Sequence, residues 1–215
     1  MGNSIASRND GGLDLIRNEA VGQKGLRHLL DVSKYPVATS DVTALLVLDH
    51  QVSMHFKLME GAYIVRQAIH DAARKGKGIS SDPPESFTKA LNLAAEQVVN
   101  HLLFAEEASI GGKPTRGDGV FVKSFLSRRG ADSKGRSLRD FNLEDRIFQY
   151  RCSYMIRSRS FSGLPKALRK SIFRRLHEVL ASKIPLKDYD YFLPGERSVI
   201  LGILNETLPG FKDTL

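Results

Sequence analysis

The segment from Thr39 to Gly76 constrains the fold more than any other part of the sequence. It contains no proline, opens on Thr39, Ser40 and Asp41, and ends where Lys75 precedes Gly76. Side-chain oxygens at the start and a glycine beside a basic residue at the end are typical helix boundaries. The sequence therefore predicts one helix from Asp41 to Lys75, about 35 residues long.

Apolar residues recur along this segment mostly at three- and four-residue steps, which is the period of one face of an α-helix. They are Val42, Leu45, Leu46, Leu48, Val52, Phe56, Met59, Tyr63, Ile69 and Ala72. We expect these side chains to form a buried stripe. The helix that carries them is predicted to be the long central helix of the domain.

Four further segments carry helix-start signals followed by apolar periodicity. The predicted helices run over residues 84–105, 142–158, 165–183 and 194–208, and a long Gly-rich loop with one short extended piece spans residues 111–136. The first two helices are expected to form an antiparallel hairpin. These patterns predict an all-α fold of about five helices, with one globular helical domain over residues 39–215 and a mostly irregular segment over residues 1–38.

The helix predicted at residues 165–183 is basic and amphipathic, a pattern found both on membrane surfaces and packed on protein cores. Its apolar face consists of Leu168, Ile172, Phe173, Leu176, Val179 and Leu180. Burial of each such side chain contributes about 1.5–3 kcal/mol, more in sum than a marginally stable domain could leave exposed. We therefore predict that this face packs on the core.

The single cysteine, Cys152, excludes an intramolecular disulfide and covalent c-type haem attachment within this chain. We expect it to be a small buried hydrophobic residue. No apolar run approaches the roughly 20 residues needed to cross a bilayer, and residues 1–15 lack an apolar signal core. As written, the sequence predicts a soluble cytoplasmic chain.

Positive charge is concentrated in one part of the chain. Residues 110–185 hold 18 Lys and Arg against 6 Asp and Glu, whereas the remainder holds 14 against 18. Candidate anion-binding residues are Arg128, Arg129, Arg136, Arg169, Lys170, Arg174 and Arg175. This segment could neutralise the phosphates of nucleic acid or of an acidic membrane surface. The alternative is a solvated face paired with the acidic remainder.

Histidines on the first two helices are candidate metal or haem ligands. His50 and Met54 lie one turn apart and so point to nearly the same side, while His55 and, on the second helix, His101 could complete a site. The alternative is a hydrogen-bonded core histidine beside methionine that fills space. With nearby carboxylates the same residues could serve a metal-dependent enzyme; those carboxylates are Asp49, Glu60, Glu96, Glu106 and Glu107.

Motifs for nucleophilic catalysis and for phosphate binding are missing from the sequence, and no glutamate is followed three residues later by histidine. Catalytic residues are therefore unassigned, and the sequence favours a protein that is not an enzyme.

Four strings resemble the C-terminal half of an uncharacterised group of exported bacterial proteins, whose N-terminal half is similar to a c-type cytochrome segment. The strings are VLDHQVSMH at 47–55, LLFAEEA at 102–108, GRSLRDF at 135–141 and CSYMI at 152–156. The chain departs from that group at Asp49, Phe56 and Arg151, where Glu, Asn and Pro are expected. In that group a Met-Gly-Asn string like residues 1–3 lies within the chain.

The resemblance implies that this sequence is a truncated reading frame or an isolated C-terminal half, with an exported, periplasmic location in the latter case. It also implies a non-enzymatic helical module associated with a c-type cytochrome-like redox protein. The alternatives from the residues themselves are an anion-binding protein that uses the segment 110–185 and a metal-dependent enzyme that uses the histidine and carboxylate helices.

Overall fold

The computed structural model describes residues 4–9, 12–17, 31, 33, 41–74, 76, 83–105, 107–111, 117–184 and 186–214. The first long helix, α1 (Val42–Arg74), begins where predicted, because Asp41 Oδ1 accepts a hydrogen bond from the Thr43 backbone N–H at 2.9 Å. The prediction of one long helix over this segment is confirmed.

The second helix, α2 (Glu85–Leu102), packs antiparallel against α1. Ser53 of α1 faces His101 near the end of α2, whereas Gly61, two turns later, faces Val98. A Cβ atom at Gly61 would lie 3.1 Å from Val98 Cγ2, so glycine lets the two helices approach closely. The predicted helical hairpin is therefore confirmed.

The face that α1 turns to the core is not the face predicted from the sequence. Of the ten residues in the predicted stripe, Leu46 and Ala72 are buried, but six are exposed: Leu45, Leu48, Val52, Phe56, Met59 and Tyr63. The buried face instead carries Val47, His50, Met54, Leu58, Gly61, Ala62 and Val65. Both sides of α1 are apolar, and periodicity alone cannot say which side meets the core.

The Gly-rich segment contains a helix, α3 (Gly119–Leu126), where a short extended piece was predicted. Asp118 caps this helix, since its Oδ1 accepts hydrogen bonds from the backbone N–H groups of Val120 and Phe121 at 2.9 and 3.1 Å. The helical turn then places Phe121 and Phe125 on one side, with ring centroids 5.9 Å apart. The extended-piece prediction was wrong because local capping outweighed the β-branched composition.

Residues 127–153 are irregular, so the helix predicted at 142–158 was wrong. Asn142 Oδ1 accepts from the backbone N–H groups of Glu144 and Asp145, but Leu143 has a left-handed φ of 58° and the chain reverses. Phe141 and Phe148 consequently pair across the reversal. Of the predicted helix only a short 3-10 turn, Tyr154–Arg157, is helical.

Three helices complete the domain: α4 (Arg159–Ser162), α5 (Lys166–Ala181) and α6 (Glu196–Thr207). Short 3-10 turns lie at Lys187–Tyr189 and Lys212–Thr214. All six predicted apolar residues of α5 are buried, which confirms core packing, and Cys152 is buried as predicted. Helix α2 lies between α1 and α5, and α6 packs on the far side of α5. The described part is predominantly helical, so the all-α class is confirmed.

Near the N-terminus the structure pairs two antiparallel strands, β1 (Ser4–Asn9) and β2 (Gly12–Arg17). The sequence predicts a mostly irregular segment over residues 1–38, whereas these two stretches are paired strands. Most of residues 18–40, and residues 112–116 of the predicted loop, lie outside the described residues.

Candidate functional site

The structure brings two of the predicted ligand residues together between α1 and α2. The rings of His50 and His101 are nearly parallel, with centroids 6.5 Å apart. Each ring nitrogen Nε2 meets a serine hydroxyl: His50 lies 2.8 Å from Ser153 Oγ, and His101 lies 3.0 Å from Ser53 Oγ. In this structure the Nε2 atom of each imidazole, which could otherwise bind a metal ion, is engaged by a serine hydroxyl.

Met54 is fully buried one turn beyond His50, on the same face, as the helical spacing predicted. His55 points elsewhere: it is exposed, and its Nδ1 lies 3.0 Å from Ser160 Oγ of α4. Among the described residues, no group of three or more His, Cys, Asp or Glu side chains could hold a metal ion. Haem or metal binding at His50, Met54, His55 and His101 stays a prediction.

His50 is enclosed by aromatic rings. Phe104 stacks on it at 4.9 Å, and the rings of Phe148 and Tyr154 lie 5.5 and 6.0 Å away. Burial, with a smaller contribution from the charge of His101, lowers the pKa of His50 to about 4. The imidazole is therefore neutral at pH 7.

Phe104 follows the end of α2 with a left-handed φ of 58°, a conformation usually taken by glycine at this position. The cost for a bulky residue is about 1–2 kcal/mol. Its ring packs on His50, and this packing fixes one wall of the histidine environment. His50 is thus a buried, hydrogen-bonded core residue, whereas His101 is half-buried.

The carboxylates predicted for a metal-dependent enzyme do not gather around the histidines. Glu96 accepts hydrogen bonds from Arg175 and Tyr189, and Glu60 pairs with Lys57 on the exposed side of α1. Burial raises the pKa of Glu107 to about 7, and its Oε1 accepts a hydrogen bond from the Ile147 backbone N–H at 3.5 Å. Glu106 lies outside the described residues.

Most of the predicted anion-binding arginines are paired with carboxylates. Arg129 pairs with Asp140, Arg136 with Asp132, Arg174 with Glu178 and Arg175 with Glu96. Arg128 is exposed, and the described part of the chain shows no ion pair for it. Arg169 and Lys170 lie together at a cleft beside the first turn of α5.

This cleft has a volume of about 660 Å³ and lies between α4, the start of α5 and the chain that follows α6. Its floor is apolar and consists of Ile156, Phe161, Phe173 and Leu208, all buried. The rings of Phe161 and Phe173 stack with centroids 5.6 Å apart, which holds the floor in place. A concave, largely apolar surface of this size suits a small organic ligand.

Four cations line the cleft: Arg157, Lys166, Arg169 and Lys170. The Arg157 guanidinium is already used, since it donates to the Gly130 carbonyl oxygen at 2.9 Å and to the Thr207 hydroxyl. Arg169 donates to the Ser162 carbonyl oxygen. Lys166 and Lys170 are exposed, and no carboxylate lies within ion-pair distance of either in the part of the chain that the structure describes.

The position of these cations is unfavourable for the helix itself. Lys166, Arg169 and Lys170 lie in the first turns of α5, where the helix dipole already carries partial positive charge. Pro165 precedes the helix, and no side chain caps it. Acidic residues are preferred at such an end. The first turns of α5 therefore form a positive surface above an apolar floor, and one carboxylate, Asp213, also lines the cleft.

Local charge identifies Arg157, Lys166, Arg169 and Lys170 only as members of the larger basic segment, and nothing in the sequence assigns the cleft floor to a site. A usable signal was present for Lys166, because a basic residue directly after Pro165 opposes the helix dipole. The floor could not be found this way, since Phe161 and Leu208 come from separate elements.

Comparison with protein-family models, curated proteins and solved structures finds no match to this chain. The resemblance to the exported bacterial group therefore stays a prediction. In the described residues, no helix combines the length and the apolar character needed to cross a membrane.

Proposed function

We propose that this protein is a non-enzymatic anion-binding protein that takes a small amphipathic anion into the α5 cleft. The observation that carries this proposal is the placement of Lys166, Arg169 and Lys170 in the first turns of α5, above the apolar floor. A ligand with an apolar body and an anionic head meets both surfaces at once.

A small ligand is favoured over nucleic acid because most of the arginines predicted to bind anions are paired within the protein. Arg129, Arg136, Arg174 and Arg175 all pair with carboxylates, and these pairs interrupt a row of free cations in the described part of the basic segment. Polyanion binding requires such a row to neutralise successive phosphates. Insertion of α5 into a membrane surface is disfavoured, since its apolar face lies in the core.

The proposal is tested by calorimetric titration of the full chain with decanoate below its micelle concentration. Replacement of both lysines, Lys166→Ala with Lys170→Ala, should weaken binding about tenfold, or about 1.4 kcal/mol. A matched control replaces Lys123 and Lys134, which are exposed and lie outside the cleft. It should bind like the unchanged protein.

Acetate and inorganic phosphate, which have a head but no apolar body, should bind much more weakly than decanoate. Absence of decanoate binding, or an equal loss in the control variant, would overturn the proposal. Tighter binding of a short DNA duplex than of decanoate would favour the nucleic-acid alternative instead.

The association with a c-type cytochrome-like segment is a separate proposal that rests on the sequence resemblance. Its test is the reading frame upstream of the Met1 codon: an in-frame Cys-x-x-Cys-His segment with a signal peptide would support it. An independent promoter and ribosome site without such a segment would count against it. Neither outcome affects the proposal for the cleft.

A further inference from the structure

The outer face of α1 carries six large apolar side chains that are exposed in the described structure. They are Leu45, Leu48, Val52, Phe56, Met59 and Tyr63, with exposed fractions between 47% and 72%. We call this set the outer stripe. A contiguous apolar stripe of this kind on one helix marks an interaction surface, whereas isolated exposed apolar residues do not.

The outer stripe follows an 11-residue repeat. Leu45, Leu48 and Val52 recur eleven residues later as Phe56, Met59 and Tyr63. At about 100° per residue, all six fall within an arc of about 80° and extend along roughly 27 Å of the helix. An 11-residue repeat keeps an apolar seam nearly parallel to the helix axis over several turns. The stripe thus has the form of a helix-pairing seam.

Acidic side chains flank one edge of the stripe, and the imidazole of His55 and the guanidinium of Arg66 flank the other edge with the same repeat. Asp49 and Glu60 lie eleven residues apart on one edge, and His55 and Arg66 lie eleven residues apart on the other. All four are exposed. Each edge lies about 60° from the centre of the stripe, where flanking residues of paired helices meet.

We propose that the outer stripe is the interface with a second copy of this chain, in which the two α1 helices pack parallel about a two-fold axis. In a parallel pair the acidic edge of one helix faces the basic edge of the other, so Glu60 lies opposite Arg66 of the second copy. In an antiparallel pair each edge would face itself, and Asp49 would meet Glu60 of the second copy. Charge therefore selects the parallel arrangement.

The expected interface is small. If each of the six side chains loses about 100 Å², two copies bury about 1,200 Å², the lower edge of the range for specific interfaces. The dimer should therefore dissociate on dilution. The proposal is independent of the anion cleft, which lies at the start of α5 and contains no α1 residue.

Sedimentation of the full chain over a range of concentrations tests the association. The unchanged protein should show a monomer–dimer equilibrium, and Phe56→Asp should weaken dimerisation at least a hundredfold. Val120→Asp is the matched control, since Val120 is an exposed apolar residue of α3 outside the stripe. It should dimerise like the unchanged protein, and both variants should keep the helical content of the unchanged protein.

Cysteine cross-linking tests the orientation. In a parallel pair Val52 meets its own counterpart, so Val52→Cys alone should cross-link under mild oxidation. In an antiparallel pair a mixture of Val52→Cys and Phe56→Cys would be needed. Cys152 does not compete, because it is buried and burial raises its pKa to about 12.

Three results would overturn the proposal. The first is a monomer at all concentrations with Val52→Cys freely reactive, which would leave the stripe unpaired. The second is a monomer in which Val52→Cys is protected, which would assign the stripe to another segment of this chain. The third is cross-linking in the mixture only, which would contradict the parallel arrangement.

Discussion

Two groups of cations in the basic half of the chain have different roles. The first group pairs with carboxylates within the fold and consists of Arg136, Arg146, Arg151 and Arg175. The second group consists of Lys166 and Lys170, which lie at the cleft without a carboxylate partner in the described structure. Net charge alone therefore overstates the available binding surface. What identifies a candidate site is a cation that the fold does not use.

The paired group is most deeply buried around Glu196, at the start of α6. Arg146 and Glu196 are each only 7% exposed at the side chain, with Arg146 Nη2 3.7 Å from Glu196 Oε1. Arg151 Nη1 lies 2.9 Å from Oε2, and the Leu193 backbone N–H donates to the same carboxylate. One carboxylate thus ties α6 to the irregular residues 127–153.

Removal of this carboxylate should have the largest effect on stability. Glu196→Ala leaves the buried Arg146 guanidinium without its carboxylate, and we expect the free energy of unfolding to fall by about 3–5 kcal/mol. Urea unfolding measures this decrease in the free energy of unfolding. Glu178→Ala, an exposed glutamate that pairs only with exposed or half-exposed arginines, should cost less than about 1 kcal/mol. Similar losses for the two variants would contradict a structural role for the paired group.

His50 is a buried base that is neutral in the folded protein, so protonation of this residue should destabilise the fold. Its pKa is lowered to about 4 in the folded protein, below the unfolded value near 6.5. Its contribution to stability is therefore fully present above pH 6.5 and is lost as the pH falls toward 4. The loss should reach about 3 kcal/mol.

Unfolding free energies of the unchanged protein and of His50→Gln, measured between pH 7 and 4, test this expectation. The difference between the two proteins cancels other titrating groups, including Glu107, whose raised pKa gives a slope of opposite sign. The exposed His55 provides a matched histidine-to-glutamine control, and His55→Gln should keep the stability of the unchanged protein at pH 7. A His50→Gln variant with the pH dependence of the unchanged protein would show that His50 is not the group responsible.

Arg175 belongs to the paired group, and its side chain is partly exposed to solvent. Its Nε and Nη2 atoms donate to the two oxygens of Glu96 at 2.6 and 3.1 Å, which joins α5 to α2. Arg175→Ala should lower the free energy of unfolding by about 1 kcal/mol, since solvent screens part of the attraction. Arg174→Ala, one residue earlier and exposed, should change it by less than about 0.5 kcal/mol. If Arg175→Ala and Arg174→Ala lower the thermal stability equally, the ion pair between Arg175 and Glu96 does not contribute more than the exposed Arg174 does.

The cleft cations should show the smallest effect on stability, with the opposite sign. Lys166 lies at the positive end of the α5 dipole, so Lys166→Ala should raise the free energy of unfolding by about 0.3 kcal/mol. Lys183→Ala, just beyond the other end of α5, should lower it by a similar amount. Precise denaturant titrations of both variants resolve the sign of the change in the free energy of unfolding. A destabilising Lys166→Ala would indicate that the fold uses this lysine after all.

The elements predicted correctly are those whose signals are local. Caps, prolines and helical periodicity defined α1, α2, α5 and α6 to within a few residues. The errors came from contacts that spacing cannot reveal. His50 enters the core because Ser153, more than a hundred residues away, meets its ring nitrogen, and Gly61 enters because α2 approaches there. The apolar outer stripe, by contrast, was taken for the core face.

The same limit applies to the candidate site. Arg169 and Lys170 were identified by local charge, but their difference from Arg175 depends on Glu96 of another helix. The cleft floor depends on Leu208, which follows α6. The sequence shows where the cations lie along the chain, but only the fold shows which of them pair with carboxylates.

The most direct test of this account is the salt dependence of decanoate affinity in the unchanged protein and in the double variant, Lys166→Ala with Lys170→Ala. At low salt the unchanged protein should bind about tenfold more tightly, because the lysines attract the carboxylate. At 1 M salt, where the screening length is about 3 Å, the two affinities should agree within about twofold, since the apolar floor remains. Equal affinities at low salt would contradict the assignment of Lys166 and Lys170 as the ligand-binding cations.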